Sequence, residues 1–303
     1  MTSLSTALLS ILFALASLGS AAPAPPTAAH FSGSAALAFT AKAVSFGQRP
    51  SGSDAIVKLR SWIAGELKPL PAEVTLDSFT GNTPAGPVPM TNIIAKFPGS
   101  SGKAIVITGH YDTKRLPMVN FVGANDGGSS TGFLLELARV VARAKCTDDI
   151  YLVWFDGEEA VRTEWSDTDS RYGSRHLAET WMASGMLPKI KALINIDMIG
   201  DKDLDIVKDA NSSQTLTNLM WKTANELGYG KYFMRTGGPI DDDHVPFITD
   251  GVNAIDVIDL DYGPQNSYWH TEKDTMDKLS ARSFQVVGDV IVNVIGKLEA
   301  LPS

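Results

Sequence analysis

The stretch YLVWFDGEE, residues 151–159, is an unbroken apolar strand that runs into three carboxylates. Strands that are apolar on both faces are typical of a parallel sheet covered by helices on each side. Two other runs have the same form, since AIVITGH ends at His110 and ALINID ends at Asp197. The carboxyl ends of parallel strands lie at one edge of the sheet, where open α/β sheets bind ligands. We therefore expect these polar groups to share a site at that edge.

Strand and helix patterns alternate along the rest of the chain. Apolar runs predict strands, and apolar residues at helical spacing predict helices between them. The predicted strands are residues 74–79, 90–97, 104–109, 150–155, 192–196 and 254–258. The predicted helices are residues 34–46, 54–67, 131–144, 173–183, 215–227 and 281–298. This alternation predicts an α/β fold, a single-domain three-layer αβα sandwich with a mostly parallel, mixed central sheet.

The N-terminal region has a composition of its own. A short apolar run over residues 7–18 is followed by small residues, which predicts a signal peptide over residues 1–22. The run is shorter than the ~20 residues that span a bilayer, although no basic residue precedes it. A Pro/Ala-rich linker follows over residues 23–30, and one folded domain occupies residues 31–303. This arrangement predicts a secreted or periplasmic protein without a stable membrane anchor.

The charge of the chain limits its possible partners, and its cysteine content limits its possible disulfides. The net charge is −8, the isoelectric point is near 5.1, and no dense cluster of lysine and arginine is present. These properties argue against nucleic acid as a partner, and we expect a monomer. Cys146 is the only cysteine, so the chain forms no intramolecular disulfide. We interpret it as an unpaired structural thiol.

Five potential metal ligands follow apolar segments or lie in glycine-rich and aromatic motifs, and they are His110, Asp126, Glu159, Asp197 and His270. Imidazole and carboxylate together are the ligands that catalytic zinc accepts while it keeps one position open. Asp126 lies in GANDGG, a glycine-rich loop that leads into a helix but lacks the lysine of a P-loop. Its glycines allow the backbone to approach a metal closely.

The adjacent glutamates Glu158 and Glu159 are suited to two different tasks. Neighbouring side chains point in different directions, so one is able to bind a metal while the other acts as acid or base. The alternative is an acidic surface turn. Similarly, the aspartates in DDDHVPF, residues 241–247, supply either site carboxylates or the N-cap of a short helix. Trp165 and Trp269 predict an apolar pocket wall, unless they belong to the core.

Taken together, these motifs resemble the co-catalytic zinc aminopeptidase superfamily, whose site residues occur in the order His, Asp, Glu-Glu, Asp, His. The closer similarity is to animal-type glutaminyl-peptide cyclotransferases, also called glutaminyl cyclases. FVGANDGG, FDGEEA and WHT carry the general similarity. The discriminating blocks are residues 165–178, WSDTDSRYGSRHLA, and residues 241–247, DDDHVPF. The resemblance covers nearly the whole chain after the linker.

The resemblance implies a zinc-exopeptidase-like sandwich that converts the N-terminal glutamine of peptides or proteins to pyroglutamate and releases ammonia. It implies one zinc ion held by Asp126, Glu159 and His270. Glu158 then acts as the proton shuttle. It also implies that Asp197 and Asp243 are hydrogen-bonding partners. Trp165 and Trp269 then form the walls of the substrate pocket.

Two alternatives remain open at this level. In a two-zinc aminopeptidase, His110 and Asp197 complete a second metal site, Asp126 bridges both metals and Glu158 activates water. This sequence departs from the animal secreted cyclotransferases in one respect, because they have a disulfide near the zinc that a chain with one cysteine does not form. The other alternative is a metal-free binding domain on the same scaffold. Loss of ligands marks such a domain, and this sequence has lost none.

Overall fold

A mixed sheet between two layers of helices forms the centre of the molecule. The computed structural model describes residues 30–162 and 164–301. Its strands are β1 Glu73–Thr83, β2 Gly86–Phe97, β3 Ala104–His110, β4 Asp149–Phe155, β5 Ile190–Asp197, β6 Val207–Lys208, β7 Arg235–Thr236 and β8 Ala254–Ile258. Six of them form the central sheet in the order β1-β2-β4-β3-β5-β8, and β6 pairs with β7 separately.

Strand direction divides the central sheet into two parts. Strand β3 pairs in parallel with β4 and β5, and β5 pairs in parallel with β8. The β1–β2 hairpin is antiparallel and joins the sheet through an antiparallel pairing of β2 with β4. The predicted α/β class and the mostly parallel, mixed sheet are therefore confirmed.

The hairpin is longer than the sequence predicted, since its ladder continues to the pair Thr83–Gly86. Pro87 and Pro89 argued against a strand there, because proline has no N–H for a ladder. Only residues 93–97 of β2 pair with β4, so the prolines lie where β2 has a neighbour on one side only. Proline is tolerated at such an edge.

Helices cover both faces of the sheet. They are α1 Gly33–Val44, α2 Asp54–Leu67, α3 Gly128–Val141, α4 Tyr172–Ala183, α5 Gln214–Glu226, α6 Val245–Thr249 and α7 Ala281–Glu299. Helices α1, α2, α3, α5 and α7 pack on one face, whereas α4 and α6 pack on the other. The short helix α6 was not among the predicted helices. It begins in the DDDHVPF segment, whose aspartates were interpreted either as site carboxylates or as the N-cap of a short helix.

Alternating side chains explain why β4 is an unbroken apolar run. Leu152 and Trp154 belong to the core under α1, α3 and α7, while Val153 and Phe155 belong to the core under α4 and α6. Successive strand residues point to opposite faces, so a strand with helices on both sides has no solvent-facing position.

Predictions for the termini and the cysteine have different outcomes. The signal peptide over residues 1–22 and all but the last residue of the linker lie outside the described residues. Over residues 30–162 and 164–301, no helix combines the length and apolar composition that a membrane span requires. Cys146 is half-buried, and burial raises the pKa of its thiol to about 12. A thiol of this kind is chemically inert.

Candidate active site

The ends of the parallel strands bring the predicted site residues together. His110 is the last residue of β3, and Asp197 is the last residue of β5. The His110 Nε2 atom lies 3.1 Å from Asp197 Oδ1 and 3.3 Å from Asp126 Oδ1. The expected juxtaposition at the carboxyl edge of the sheet is thus present, as strand register dictates.

Two groups of three side chains have the geometry of metal ligands, and Asp126 belongs to both. One group is Asp126, Glu159 and His270; the other is His110, Asp126 and Asp197. Within each group the ligand atoms lie within 4.8 Å of one another. His270 Nε2 is 3.0 Å from Glu159 Oε1 and 3.2 Å from Asp126 Oδ2.

These residues fit a zinc ion. The Asp126 Oδ2 atom is buried and has no hydrogen-bond partner among the described residues, although it faces an imidazole nitrogen. A buried carboxylate oxygen in that state is costly unless a cation or donor satisfies it. One imidazole and two carboxylates form a ligand set that catalytic zinc accepts.

The loop that carries Asp126 is held by backbone contacts. The backbone N–H groups of Asn125 and Asp126 donate to the two oxygens of the buried Asp274 carboxylate, at 2.8 and 3.2 Å. Gly127 is the N-cap residue of α3 and has a φ of 76°. A Cβ at Gly127 would lie 2.4 Å from the Asp112 carbonyl oxygen, so only glycine fits there. The close approach here is between two backbone segments, and the approach of this loop to a metal stays a prediction.

Arg49, in the segment GQRPSGS, was not among the predicted site residues. Its guanidinium is fully buried and donates to the carbonyl oxygens of Tyr111, Val122 and Gly123. It therefore ties the segment after His110 to the Asp126 loop. Burial lowers the pKa of Arg49 to about 10, and nearby carboxylates, Asp274 first, partly oppose that shift. An arginine beside Pro and Gly in an acid-rich chain was the only signal.

Glu158 lies beside the first ligand group but is not part of it. Its backbone N–H donates to Asp112 Oδ1 at 3.2 Å, and that of Glu159 donates to Asp112 Oδ2 at 3.3 Å. The same Asp112 carboxylate is 3.5 Å from His110 Nδ1, and that nitrogen has no hydrogen-bond partner among the described residues. Burial, together with the negative charges of Glu159 and Asp242, raises the pKa of Glu158 well above its usual value.

A cavity of about 390 Å³ contains these groups. Glu158 lines it together with the first ligand group and Asp197. Trp165 and Trp269, predicted as pocket walls, both line it as well. Trp165 Nε1 donates to Asp241 Oδ2 at 2.9 Å, and the Trp269 ring stacks on the His270 imidazole at 4.1 Å between centroids.

The placement of Asp243 requires a correction. The resemblance implied a catalytic role for it, but its carboxylate is fully buried, does not line the cavity and accepts a hydrogen bond from Ser174 Oγ. Its negative charge still helps to raise the pKa of Glu158. Asp241 and Asp242, which precede Asp243, both line the cavity. Adjacent side chains in a turn point in different directions, and a run of three aspartates does not reveal which of them face the cavity.

Lys114 is a cavity residue that was not predicted from the sequence. Its side chain is buried and lines the cavity, with Nζ 3.4 Å from Glu159 Oε2. It is the last residue of the segment ITGHYDTK, which also contains His110 and Asp112. A cation that follows two site residues in the same motif was the available signal.

The fold and the ligand cluster define a metal-dependent exopeptidase-like enzyme. The chain belongs to peptidase family M28, which matches residues 92–295. Within that family, the resemblance to glutaminyl-peptide cyclotransferases is confirmed. The glutaminyl-peptide cyclotransferase of Dictyostelium discoideum is 28% identical over 285 residues, which cover 79% of this chain and 78% of that protein.

Two solved structures extend the comparison. The glutaminyl cyclase of an Acidobacteriales bacterium is 41% identical with a TM-score of 0.86, and the alignment covers 92% of this chain and 98% of that chain. A Zn-dependent exopeptidase from Parabacteroides distasonis is 28% identical with a TM-score of 0.80, over 88% of this chain and 98% of that chain. Similarity at these levels extends over almost the whole described part of the molecule.

Proposed function

We propose that this protein is a zinc-dependent glutaminyl-peptide cyclotransferase, which converts N-terminal glutamine to pyroglutamate and releases ammonia. One observation carries the proposal. The buried carboxylate of Glu158 shares one cavity with the ligand group of Asp126, Glu159 and His270 and with two tryptophans. The similarity to glutaminyl cyclases supports the same substrate class.

In this proposal, zinc is held by Asp126, Glu159 and His270, and when bound it supplies the Lewis acidity that polarises the γ-carboxamide carbonyl. Glu158 accepts a proton from the substrate α-amine as its nitrogen attacks the γ-carbonyl carbon. Glu158 then returns that proton to the departing amide nitrogen, which leaves as ammonia. No water is consumed, so each proton removed is returned.

The remaining cavity residues position the reacting groups. Asp197 and Asp242 face the same cavity as Glu158 and provide hydrogen-bond acceptors for the substrate amine. Trp165 and Trp269 form its aromatic walls, and walls of this kind restrict water around the reacting carbonyl. A two-zinc aminopeptidase is the second candidate, because His110, Asp126 and Asp197 also form a group with metal-ligand geometry.

Product analysis tests the proposal directly. Purified protein is incubated with two peptides that differ only in an N-terminal glutamine or leucine, and product masses are read. Loss of ammonia from the glutamine peptide supports the cyclotransferase. Release of free leucine, with the glutamine peptide left unchanged, would favour the aminopeptidase.

We expect one tightly bound zinc per chain, and we expect replacement of His270 with alanine to remove zinc and activity together. The imidazole is one of three protein ligands in the proposed site, so its loss leaves only two carboxylates. Metal analysis of the wild type and of His270→Ala checks this. His176→Ala is the matched control, because His176 lies on α4 and contacts Asp77 and Phe79. Two zinc ions at full occupancy would contradict the single-zinc site.

The specificity constant should rise with pH between 6 and about 8. Only the uncharged α-amine of the substrate attacks, and a free α-amino group has a pKa of ~7.7–8.0. The neutral fraction, and with it kcat/KM, grows by roughly 40-fold over that range. Initial rates at low substrate concentration measure the profile. A flat profile would argue against attack by the amine.

Asp242 and Asp243 provide a paired prediction. Asp242→Asn should lower turnover by roughly 10–100-fold, which is the usual cost of losing a supporting carboxylate. Asp243→Asn should keep turnover within about two-fold, because its buried side chain contacts Ser174 rather than the cavity. Parallel kinetic assays of the two variants decide the assignment. The opposite pattern would restore Asp243 to the catalytic role that the sequence suggested.

We also propose that residues 1–22 are a signal peptide and that the protein is secreted or periplasmic. The short apolar run followed by small residues supports this. The intact mass of protein exported by its native host tests both points, since cleavage after residue 22 removes a defined mass. Light scattering of the same sample tests the expected monomer.

A further inference from the structure

A second depression lies beside the active-site cavity and shares a wall with it. Its volume is about 650 Å³, and its lining includes Pro84, Arg115, Val161 and Arg162. Glu164 lines both the depression and the cavity. The cavity and the depression are also lined by consecutive residues, since Lys114 lines the cavity and Arg115 lines the depression. We call this depression the arginine groove.

The two arginines of the groove have unused hydrogen-bonding capacity. Arg115 Nη2 donates to the Ser51 carbonyl oxygen at 3.1 Å, and Arg162 Nη2 donates to the Pro84 carbonyl oxygen at 3.2 Å. Both side chains are exposed, and neither forms an ion pair with a carboxylate in the part of the chain that the structure describes. Each guanidinium has five N–H donors, so most of them are available to a ligand.

The groove also contains two acidic residues, Asp169 and Glu164, and neither forms an ion pair with these arginines among the described residues. Asp169 is buried, and its oxygens accept hydrogen bonds from the backbone N–H groups of Val161 and Arg162 and from the Tyr172 hydroxyl. Glu164 lies at the boundary with the cavity, whose other carboxylates include Glu158 and Asp242. The cavity is lined by several carboxylates, whereas the groove beside it presents two exposed arginines that have no carboxylate partner among the described residues.

Two unpaired arginines next to a carboxylate-rich cavity match a peptide with an N-terminal amine followed by acidic side chains. The glutamine residue occupies the cavity, and the rest of the peptide has to leave through its mouth. An extended peptide advances about 3.3 Å per residue, so the next three residues span roughly 10 Å. Guanidinium groups bind carboxylates in bidentate geometry, which makes two exposed arginines a suitable recognition element.

We propose that the arginine groove binds the residues that follow the N-terminal glutamine and that Arg115 and Arg162 select aspartate or glutamate among them. The inference rests on the proposed cyclotransferase function, because it names the substrates that this site prefers. Peptides with lysine at the same positions are disfavoured, since their charge is repelled by the same arginines.

The test compares peptides that begin with glutamine and carry one glutamate, one glutamine or one lysine at position 2, 3, 4 or 5. The wild type should show a kcat/KM about two- to five-fold higher for glutamate than for glutamine at the best position, the size expected for an exposed ion pair. The preference should lie mainly in KM and should shrink at high salt.

Charge reversal provides the decisive comparison. In the double variant Arg115→Glu/Arg162→Glu, the ratio of kcat/KM for glutamate and lysine peptides should invert. Arg143→Glu is the matched control, because Arg143 is an exposed arginine beyond the far end of α3 from Asp126. Its ratio should equal that of the wild type. Thermal melting of each variant confirms that the fold is retained, and inversion toward lysine peptides itself requires a folded enzyme.

Two results would overturn the inference and are distinguishable. If the wild type cyclises all the glutamine peptides equally well, or if the double variant keeps the wild-type ratio, the groove does not select acidic residues, while the proposed function stands. If the wild type cyclises none of the glutamine peptides, the proposed function fails and the inference fails with it.

Discussion

Replacement of Glu158 with glutamine is expected to lower turnover by about 10²–10⁴-fold, the usual contribution of general acid–base catalysis, while zinc content and fold are retained. Glutamine has nearly the same shape as glutamate, so packing around the buried side chain changes little. It is unable to accept the amine proton and return it to the leaving group. Steady-state kinetics and metal analysis of the purified variant measure both quantities.

Glu159→Gln is the matched control, because it makes the same chemical change one residue away. It should weaken zinc binding, since a neutral amide oxygen is a poorer ligand than a carboxylate and Glu159 belongs to the first ligand group. If Glu158→Gln loses the metal while Glu159→Gln retains it, the two roles are reversed. Near-normal turnover in Glu158→Gln would show that the proton-shuttle mechanism is wrong.

Replacement of Arg49 with methionine should lower the free energy of unfolding by about 3 kcal/mol. The variant leaves the buried carbonyl groups of Tyr111 and Gly123 without their donor, and each unsatisfied group costs roughly 1–3 kcal/mol. Removal of a buried guanidinium offsets part of that cost. Because domains are stable by only about 5–15 kcal/mol, the effect is large. Zinc affinity should fall too, since Arg49 holds the Asp126 loop.

Denaturant unfolding and zinc titration measure these two effects. Arg49→Lys should restore part of the stability, because an ammonium retains the charge but not the fork of donors. Arg143→Met removes an exposed arginine and should stay within about 0.5 kcal/mol of the wild type. An Arg49→Met variant that unfolds like the wild type would refute the structural role of this side chain.

Much of the fold follows from local patterns. The predicted bounds of α2 and β8 agree with the structure, as does the alternation of strands and helices around them. These elements were predictable because each buries a face whose apolar spacing is written into consecutive residues. The β1–β2 hairpin was predicted too short, since its proline-containing part depends on pairing with a strand partner rather than on local propensity.

Part of the candidate site was likewise predictable from local sequence, and part of it was not. The sequence by itself determined which polar residues end the apolar strands, and hence that His110, Glu159 and Asp197 meet at one edge, because parallel strands place their carboxyl ends together. Only the tertiary structure decided that Asp242 rather than Asp243 faces the cavity and that Arg49 supports the Asp126 loop. The direction of a side chain in a turn and the partner of a buried cation depend on segments far apart in the chain, which local sequence does not specify.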